Sequence, residues 1–217
     1  KGIILAGGLG SRFYPSTKGV SKHLFPIYDK PMIYYPLSTL MLAGINQIAI
    51  IGNKENLPIY QKLLGNGNNF GISLTYLLQN EPNGIPEALV IGKKFLNGKP
   101  CALILGDNIF YGSGFVRLLQ EANNKLNGCS IFLCPVKDPR SFGIAELGKN
   151  NRIIDMYEKP SKTSNNNKAI TGLYFFDSNA PSLFAKLKVS KPGEVEIVDL
   201  LKIYLERNSI NSLILGR

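Results

Sequence analysis

The sequence of 217 residues, with 44% hydrophobic and 18% charged side chains, describes an ordinary globule that suits one α/β domain. Its formal charge of +10 indicates an anionic partner, and its scattered lysines favour phosphorylated small molecules over nucleic acid. No apolar run is long enough to span a membrane, and the first predicted strand leaves no room for a signal peptide, so we expect a cytoplasmic protein. The absence of a Cys-x-x-Cys pair argues against a metal site or disulfide framework and predicts buried, reduced thiols at Cys101, Cys129 and Cys134.

The chain begins with a short apolar run from Ile3 to Leu5 that leads into a cluster of glycines. A run without alternation predicts a central strand covered on both faces. Gly7, Gly8 and Gly10 leave backbone N–H groups uncovered, so a phosphate can approach them, and Arg12 can add charge-assisted hydrogen bonds. The loop lacks the Gly-Lys-Ser/Thr of a P-loop and the third glycine of a dinucleotide-binding loop. We interpret it as a phosphate-binding loop, with a plain tight turn as the alternative.

Helices and strands then alternate along the chain. The spacing of apolar residues predicts helices over 31–43, 56–64 and 85–96, and strands over 47–51, 72–78 and 101–105. This alternation predicts an α/β fold with a mainly parallel, Rossmann-like twisted sheet flanked by helices. Ligands bind such sheets at the carboxyl ends of the strands, where the glycine loop would lie.

Asp107 and Asn108 follow one of these predicted strands directly. A carboxylate at a strand end is a hard oxygen ligand suited to Mg²⁺, which takes one or two carboxylates together with substrate phosphates. The alternative is that Asp107 caps the helix predicted to begin near Ser113.

Gln79 and Gly84 follow another predicted strand and therefore face the same edge. A glutamine side chain offers both a donor and an acceptor, and a glycine turn exposes the same groups of the backbone. This combination suits recognition of the edge of a nucleobase, although a plain loop is the alternative. Pro86 removes one backbone donor where a helix begins, and proline is tolerated there.

Beyond residue 128 the chain is richer in predicted strands. These cover 130–135, 143–147, 153–158 and 169–176, and we expect them to continue the same sheet. Adjacent strand residues point in opposite directions, so Glu158 and Lys159 can reach one ligand only at a strand end or a bulge. Pro160 favours such an end directly after them.

The chain resembles the sugar nucleotidyltransferases in a series of motifs that occur in the family's order. Residues 5–15 match L-A-G-G-x-G-S/T-R-x-x-P, and further matches cover 18–22, 28–40, 105–112 and 171–177. The resemblance implies one domain over 1–217, in which about 1–128 bind the nucleotide and about 129–217 bind the sugar, with a lid over the sugar. Family members continue beyond the end of this sequence, so the second part is expected to be C-terminally incomplete.

The resemblance also assigns roles to individual residues. Nucleotide contacts are implied for Leu5, Ala6, Gly7, Gly8, Gly10, Ser11, Arg12, Lys22, His23, Gln79, Gly84 and Asp107. Sugar contacts are implied for Asn108, Gly143, Glu158, Lys159, Ile170 and Thr171. In catalysis, Arg12 and Lys22 would hold the triphosphate, Lys159 the sugar phosphate, and Asp107 a Mg²⁺ cofactor. Family members usually carry glutamine where His23 stands.

The resemblance is strongest to family members that use dTTP and glucose 1-phosphate, and it implies a homo-oligomer. Two alternatives stay open: a uridylyl- or adenylyltransferase of the same fold, and an inactive protein that only binds nucleotide sugars. The second follows from the family's C-terminal segment, which carries another metal-binding carboxylate and is not in the sequence. We also expect its absence to expose Leu200, Leu201 and Leu205 if the family's C-terminal helices cover them.

Overall fold

The computed structural model describes residues 1–8, 10–161, 167–187 and 195–216. Leu9 of the predicted phosphate-binding loop lies outside the described residues. The strands are β1 Gly2–Leu5, β2 Pro26–Ile27, β3 Lys30–Pro31, β4 Gln47–Gly52, β5 Ser73–Leu78, β6 Cys101–Leu105, β7 Cys129–Cys134, β8 Gly143–Leu147, β9 Ile153–Glu158, β10 Asn167–Phe176 and β11 Ile210–Ile214. The α-helices are α1 Tyr34–Leu42, α2 Leu57–Leu64, α3 Glu87–Ile91, α4 Lys93–Leu96, α5 Phe115–Asn124, α6 Ala180–Leu183 and α7 Ile197–Glu206. None of these helices is long and apolar enough to cross a membrane.

In the described part of the chain, nine strands form one mixed sheet. Its main order is β11-β7-β10-β6-β1-β4-β5, and β8 and β9 are attached alongside β10. Strand β1 pairs in parallel with β4 and β6, and β4 pairs in parallel with β5. Strand β10 runs antiparallel to β6, β7 and β8. The predicted α/β sheet is confirmed, and the carboxyl ends of β1, β4, β5 and β6 lie at one edge.

The core consists of two apolar clusters, one on each face of the sheet. Successive strand residues point to opposite faces, so Ile3 packs with Leu103 on one face and Ile4 packs with Ile104 on the other. Helices α1, α2 and α5 contribute buried residues to the face of Ile4, and α3, α4, α6 and α7 to the face of Ile3. Burial on both faces explains why the strand sequences are apolar without alternation.

The helix predicted over 85–96 is two short helices that meet at Gly92. A Cβ atom at this position would lie 2.7 Å from Cδ1 of Ile3, so only glycine lets the segment pack this closely on β1. The apolar spacing predicts the helical segment correctly, but it does not reveal the break.

Two expectations about burial were wrong in part. Leu200 and Leu201 are fully buried, because α7 packs them into the core cluster on the face of Ile3, while Leu205 is partly buried against the same cluster. Cys101 and Cys129 are buried free thiols, as predicted, whereas Cys134 at the end of β7 is only partly buried.

Candidate active site

The topology brings the predicted site residues to one edge of the sheet. The glycine loop follows β1, Gln79 follows β5, and Asp107 follows β6. Because these strands are parallel neighbours, all three segments emerge on the same side. A Cβ atom added to Gly8 would lie 3.9 Å from Nζ of Lys22, which in turn contacts Asp107. The predicted shared edge is confirmed, while the ligands of these residues stay predictions.

The glycine loop is shaped by two close contacts. A Cβ atom at Gly7 would overlap Oε1 of Gln79, so the base-recognition candidate packs directly on the loop. Gly10 has a φ of 65°, in the left-handed region that favours glycine, and its carbonyl accepts a hydrogen bond of 2.9 Å from the Thr17 hydroxyl. The next residues, Ser11–Phe13, form a turn of 3₁₀ helix that exposes Arg12. Arg12 therefore projects beside bare backbone, as a phosphate site requires.

Lys22 and Asp107 form an ion pair beside this loop. The Lys22 Nζ atom lies 2.5 Å from Oδ2 of Asp107, and Asn108 Nδ2 donates to Oδ1 at 3.1 Å. Partial burial works to raise the pKa of Asp107, but the hydrogen bond and charge of Lys22 outweigh it, and the pKa lies below its ordinary value. The carboxylate therefore stays ionised at neutral pH.

His23 lies beneath the loop rather than in the open site. Its side chain is 1% exposed, and Nδ1 lies 3.0 Å from the Ser21 hydroxyl and 3.1 Å from the Tyr60 hydroxyl. The Tyr60 hydroxyl also donates to the carbonyl oxygen of Ala6 at 3.1 Å. Burial, helped by the charge of Lys22, lowers the pKa of His23 to about 4. A neutral His23 thus supports the start of the loop from below, and its predicted contact with nucleotide stays a prediction.

The segment after β5 is held by a carboxylate that the sequence analysis did not identify. Glu87, in the first turn of α3, accepts hydrogen bonds from Nε2 of Gln79 at 2.8 Å and from Nδ2 of Asn83 at 2.9 Å. Gly84 has a φ of 105°, and a Cβ atom there would overlap the backbone of Val195. The turn is therefore fixed at both ends. A carboxylate eight residues after a candidate amide is a weak sequence signal, because the bond depends on the path of the turn.

A cleft of about 560 Å³ connects the cationic loop to the β-rich half of the chain. Its lining includes Arg12 and most of the residues expected to contact the sugar and the metal, namely Asp107, Asn108, Gly143, Glu158, Ile170 and Thr171. Tyr174 and Glu196 also line it, and the sequence analysis did not single them out. Gly8 instead lines a neighbouring cavity of about 120 Å³.

Asn108 and the Thr171 segment are tied together at the centre of this cleft. Asn108 Oδ1 accepts a hydrogen bond of 3.0 Å from the backbone N–H of Gly172. The Thr171 hydroxyl donates to the carbonyl oxygen of Phe132 at 2.9 Å. The first bond joins the end of β6 to β10, and the second joins β10 to β7.

Glu158 and Lys159 stand at a strand end, as the sequence predicts. Strand β9 ends at Glu158, and Lys159 has a φ of 42° directly before Pro160. The backbone N–H of Lys159 donates to the carbonyl oxygen of Phe142 at 3.0 Å. The turn of the backbone brings the two side chains together, with Nζ of Lys159 3.4 Å from Oε1 of Glu158.

Within the described residues, no three His, Cys, Asp or Glu side chains are grouped to hold a metal ion. Asp107 is a single carboxylate, 35% exposed in its side chain and beside the amide of Asn108. This donor set fits Mg²⁺, which takes one or two carboxylates and completes its shell with phosphate oxygens and water. It does not fit an ion bound by protein ligands alone.

The family model described as nucleotidyl transferase matches residues 1–215 of the chain. The chain belongs to the nucleotidyl transferase family. It is 48% identical to the glucose-1-phosphate thymidylyltransferase of Neisseria meningitidis, over the whole chain and 75% of that relative. The relative of the same name from Neisseria gonorrhoeae is 51% identical, again over the whole chain and 75% of its length. This nucleotidyltransferase thus spans about three quarters of the length of these two curated relatives.

Solved structures agree with this family assignment. A putative glucose-1-phosphate thymidylyltransferase from Bacillus anthracis, crystallised with sucrose, superposes with a TM-score of 0.91 at 39% identity, covering all of this chain and 87% of that one. An apo UDP-glucose pyrophosphorylase superposes with a TM-score of 0.84 at 25% identity, covering 99% and 90% of the two chains. The chain is therefore an enzyme of the nucleotidyltransferase type.

Proposed function

We propose that this nucleotidyltransferase transfers a thymidylyl group from dTTP to glucose 1-phosphate and yields dTDP-glucose and pyrophosphate. The observation that carries the proposal is the pair of Lys22 and Asp107 between the glycine loop and the cleft that ends at Glu158. In this proposal, the pair supplies a cation for phosphate and a carboxylate for a metal between the base site and the sugar site. The printed names of the relatives supply the identity of base and sugar.

The reaction needs no protein nucleophile. An oxygen of the sugar phosphate forms a bond to the α-phosphorus of dTTP, the bond to the bridging oxygen breaks, and its electron pair leaves with pyrophosphate. The second pKa of a phosphate monoester is about 6, so the attacking group is already largely dianionic and a general base adds little. Catalysis then consists of alignment and neutralisation of charge.

The cationic side chains divide this work between the two phosphates. Arg12 and Lys22 would hold the triphosphate and stabilise the leaving pyrophosphate, since both lie next to the glycine loop. Lys159 would bind the attacking phosphate from beside the cleft, next to Glu158 in its lining. Its bent backbone directs the ammonium group toward Glu158, which also accepts hydrogen bonds from sugar hydroxyls in this proposal.

Asp107 would hold Mg²⁺ in this proposal. When bound, the ion neutralises negative charge on the phosphates. Lys22 has to move from Oδ2 of Asp107 to make room, and the phosphates would become its new partner. The carboxylate needs no deprotonation, because its pKa is already low.

The remaining roles complete the proposal. The nucleotide contacts would come from Leu5, Ala6, Gly7, Gly8, Gly10, Ser11, Arg12, His23, Gln79 and Gly84, and the sugar contacts from Asn108, Gly143, Ile170 and Thr171. We propose one domain with a nucleotide-binding part and a sugar-binding part, which acts in the cytoplasm as a homo-oligomer without nucleic acid or a membrane as partner.

The test is a comparison of nucleotides on the protein that carries this sequence. Pyrophosphate release is measured with glucose 1-phosphate and dTTP, UTP or ATP in the presence of Mg²⁺. The proposal predicts the highest kcat/KM for dTTP. Faster turnover of UTP or ATP would show that the enzyme is a uridylyl- or adenylyltransferase. Binding of dTTP without turnover would show that the protein only binds nucleotides.

A further inference from the structure

The carboxylate of Glu87 controls the orientation of the Gln79 amide. Its Oε2 atom accepts from Nε2 of Gln79 at 2.8 Å and from the backbone N–H of Asn83 at 3.3 Å. Its Oε1 atom accepts from Nδ2 of Asn83 at 2.9 Å. An ionised carboxylate has acceptors and no donor. Of the two orientations that differ by a flip of the amide, it therefore allows only the one in which Nε2 of Gln79 faces Glu87.

The carbonyl oxygen of Gln79 is consequently turned toward the glycine loop. This Oε1 atom fills the space that a Cβ atom of Gly7 would take. None of the described residues donates a hydrogen bond to it. Gln79 as a whole is 4% exposed, so this oxygen lies close against the loop. A fixed acceptor is thus presented to whatever binds over the loop.

We propose that Glu87 is a positioning residue that decides which nucleobases the site accepts. The inference rests on the proposed function, because it takes the segment from Gln79 to Gly84 as the base site. Thymine and uracil carry an N–H donor at position 3 of the ring, whereas cytosine carries an unprotonated nitrogen acceptor there. A fixed Oε1 pairs with the first kind of base and opposes the lone pair of the second.

A purely structural role for Glu87 makes a different prediction. Its bonds to Asn83 also hold the turn that leads to Gly84. If holding this turn were its only role, removing the carboxylate would weaken the binding of every nucleotide by the same factor. The ratio of the dissociation constants for two nucleotides therefore separates the roles. A loosened turn changes both constants by the same factor and leaves the ratio unchanged, whereas an amide that is free to flip changes the ratio.

The experiment measures the equilibrium binding of dTTP and dCTP with Mg²⁺ and without glucose 1-phosphate. The variants are Glu87→Ala and Glu87→Gln, with Glu121→Ala as the control, since Glu121 lies on α5 and pairs only with Lys125 among the described residues. We expect the wild type to bind dTTP more tightly than dCTP, and Glu87→Ala to reduce that preference about tenfold. Glu87→Gln keeps one acceptor and should fall between the two, while Glu121→Ala should match the wild type.

An unchanged preference in Glu87→Ala, with both nucleotides weakened equally, would overturn the inference. If Glu87→Ala does not fold, as judged by circular dichroism, Glu87→Gln decides, and an unchanged preference there has the same meaning. Failure of the proposed function looks different, because the wild type would then show no preference for dTTP over dCTP or would bind neither.

Discussion

The ammonium group of Lys22 lies 2.5 Å from Oδ2 of Asp107, so the cation expected to bind phosphate neutralises the carboxylate expected to bind metal. In the proposed function, Lys22 would bind phosphate oxygens and Asp107 would hold Mg²⁺, so each group would leave the other when substrate binds. Both groups already lie beside the glycine loop, so only their mutual contact has to be broken.

Replacement of Lys22 by methionine should lower kcat by about a hundredfold or more, since it removes a charge that stabilises the leaving pyrophosphate. Steady-state kinetics with dTTP and glucose 1-phosphate measure the effect. Lys125→Met is the control, because Lys125 forms an exposed ion pair with Glu121 on α5. A Lys22→Met variant with the kcat of the wild type would show that Lys22 only balances the charge of Asp107.

His23 should make stability dependent on pH in a defined window. Its pKa is lowered from 6.5 to about 4 in the folded chain, so the unfolded chain binds the proton first as the pH falls. The stabilisation is complete above pH 6.5 and is lost toward pH 4. Between pH 7 and pH 5 the free energy of unfolding should fall by about 2 kcal/mol through this residue.

Urea titrations of the wild type and of His23→Gln at these two pH values test that expectation. His23 is the only histidine of the chain, so the difference between the two proteins isolates its contribution. The glutamine variant should lack this part of the pH dependence. Equal losses in both proteins would mean that His23 is protonated as easily in the folded chain as in the unfolded one.

Most of the fold follows from local patterns in the sequence. Strands β6, β8 and β9 coincide with their predicted bounds, because each is an apolar or alternating run between glycine, proline or asparagine residues. The insertion of β10 between β6 and β7 does not follow from such patterns, since pairing partners depend on the path of the whole chain. The break at Gly92 is not marked by the spacing of apolar residues.

Gly7→Ala should weaken dTTP binding by about ten- to a hundredfold, because the added methyl group would displace the Gln79 side chain and leave its hydrogen-bonding groups misplaced. Gly19→Ala is a matched control in the same region, since a Cβ atom at Gly19 has no neighbour within 4 Å. Titration of dTTP against both variants gives the result. Similar dissociation constants for the two variants would show that Gln79 does not contribute to binding of the base.

Lys159→Ala should raise the KM for glucose 1-phosphate by about ten- to a hundredfold and leave the KM for dTTP nearly unchanged, because only the sugar phosphate loses a charged partner. Lys149→Ala, at an exposed lysine before β9, serves as the control. An equal rise in both KM values would place Lys159 at the nucleotide rather than at the sugar phosphate.

The parts of the site differ in how far the sequence predicts them. Positions at strand ends, such as Asp107, are predictable because parallel strands share an edge. The hydrogen bond between Gln79 and Glu87 and the burial of His23 under the loop are not, because both depend on how turns fold back. Sequence spacing finds the groups that contact substrate more readily than the groups that hold them.

The most direct test of thymidylyl transfer is phosphorus NMR of dTTP and glucose 1-phosphate incubated with Mg²⁺ and the protein, with Asp107→Asn in parallel. The account predicts dTDP-glucose and pyrophosphate in equal amounts from the wild type, and formation slower by about a hundredfold or more in the variant. No dTDP-glucose from the folded wild type, or equal rates from the two proteins, would contradict it.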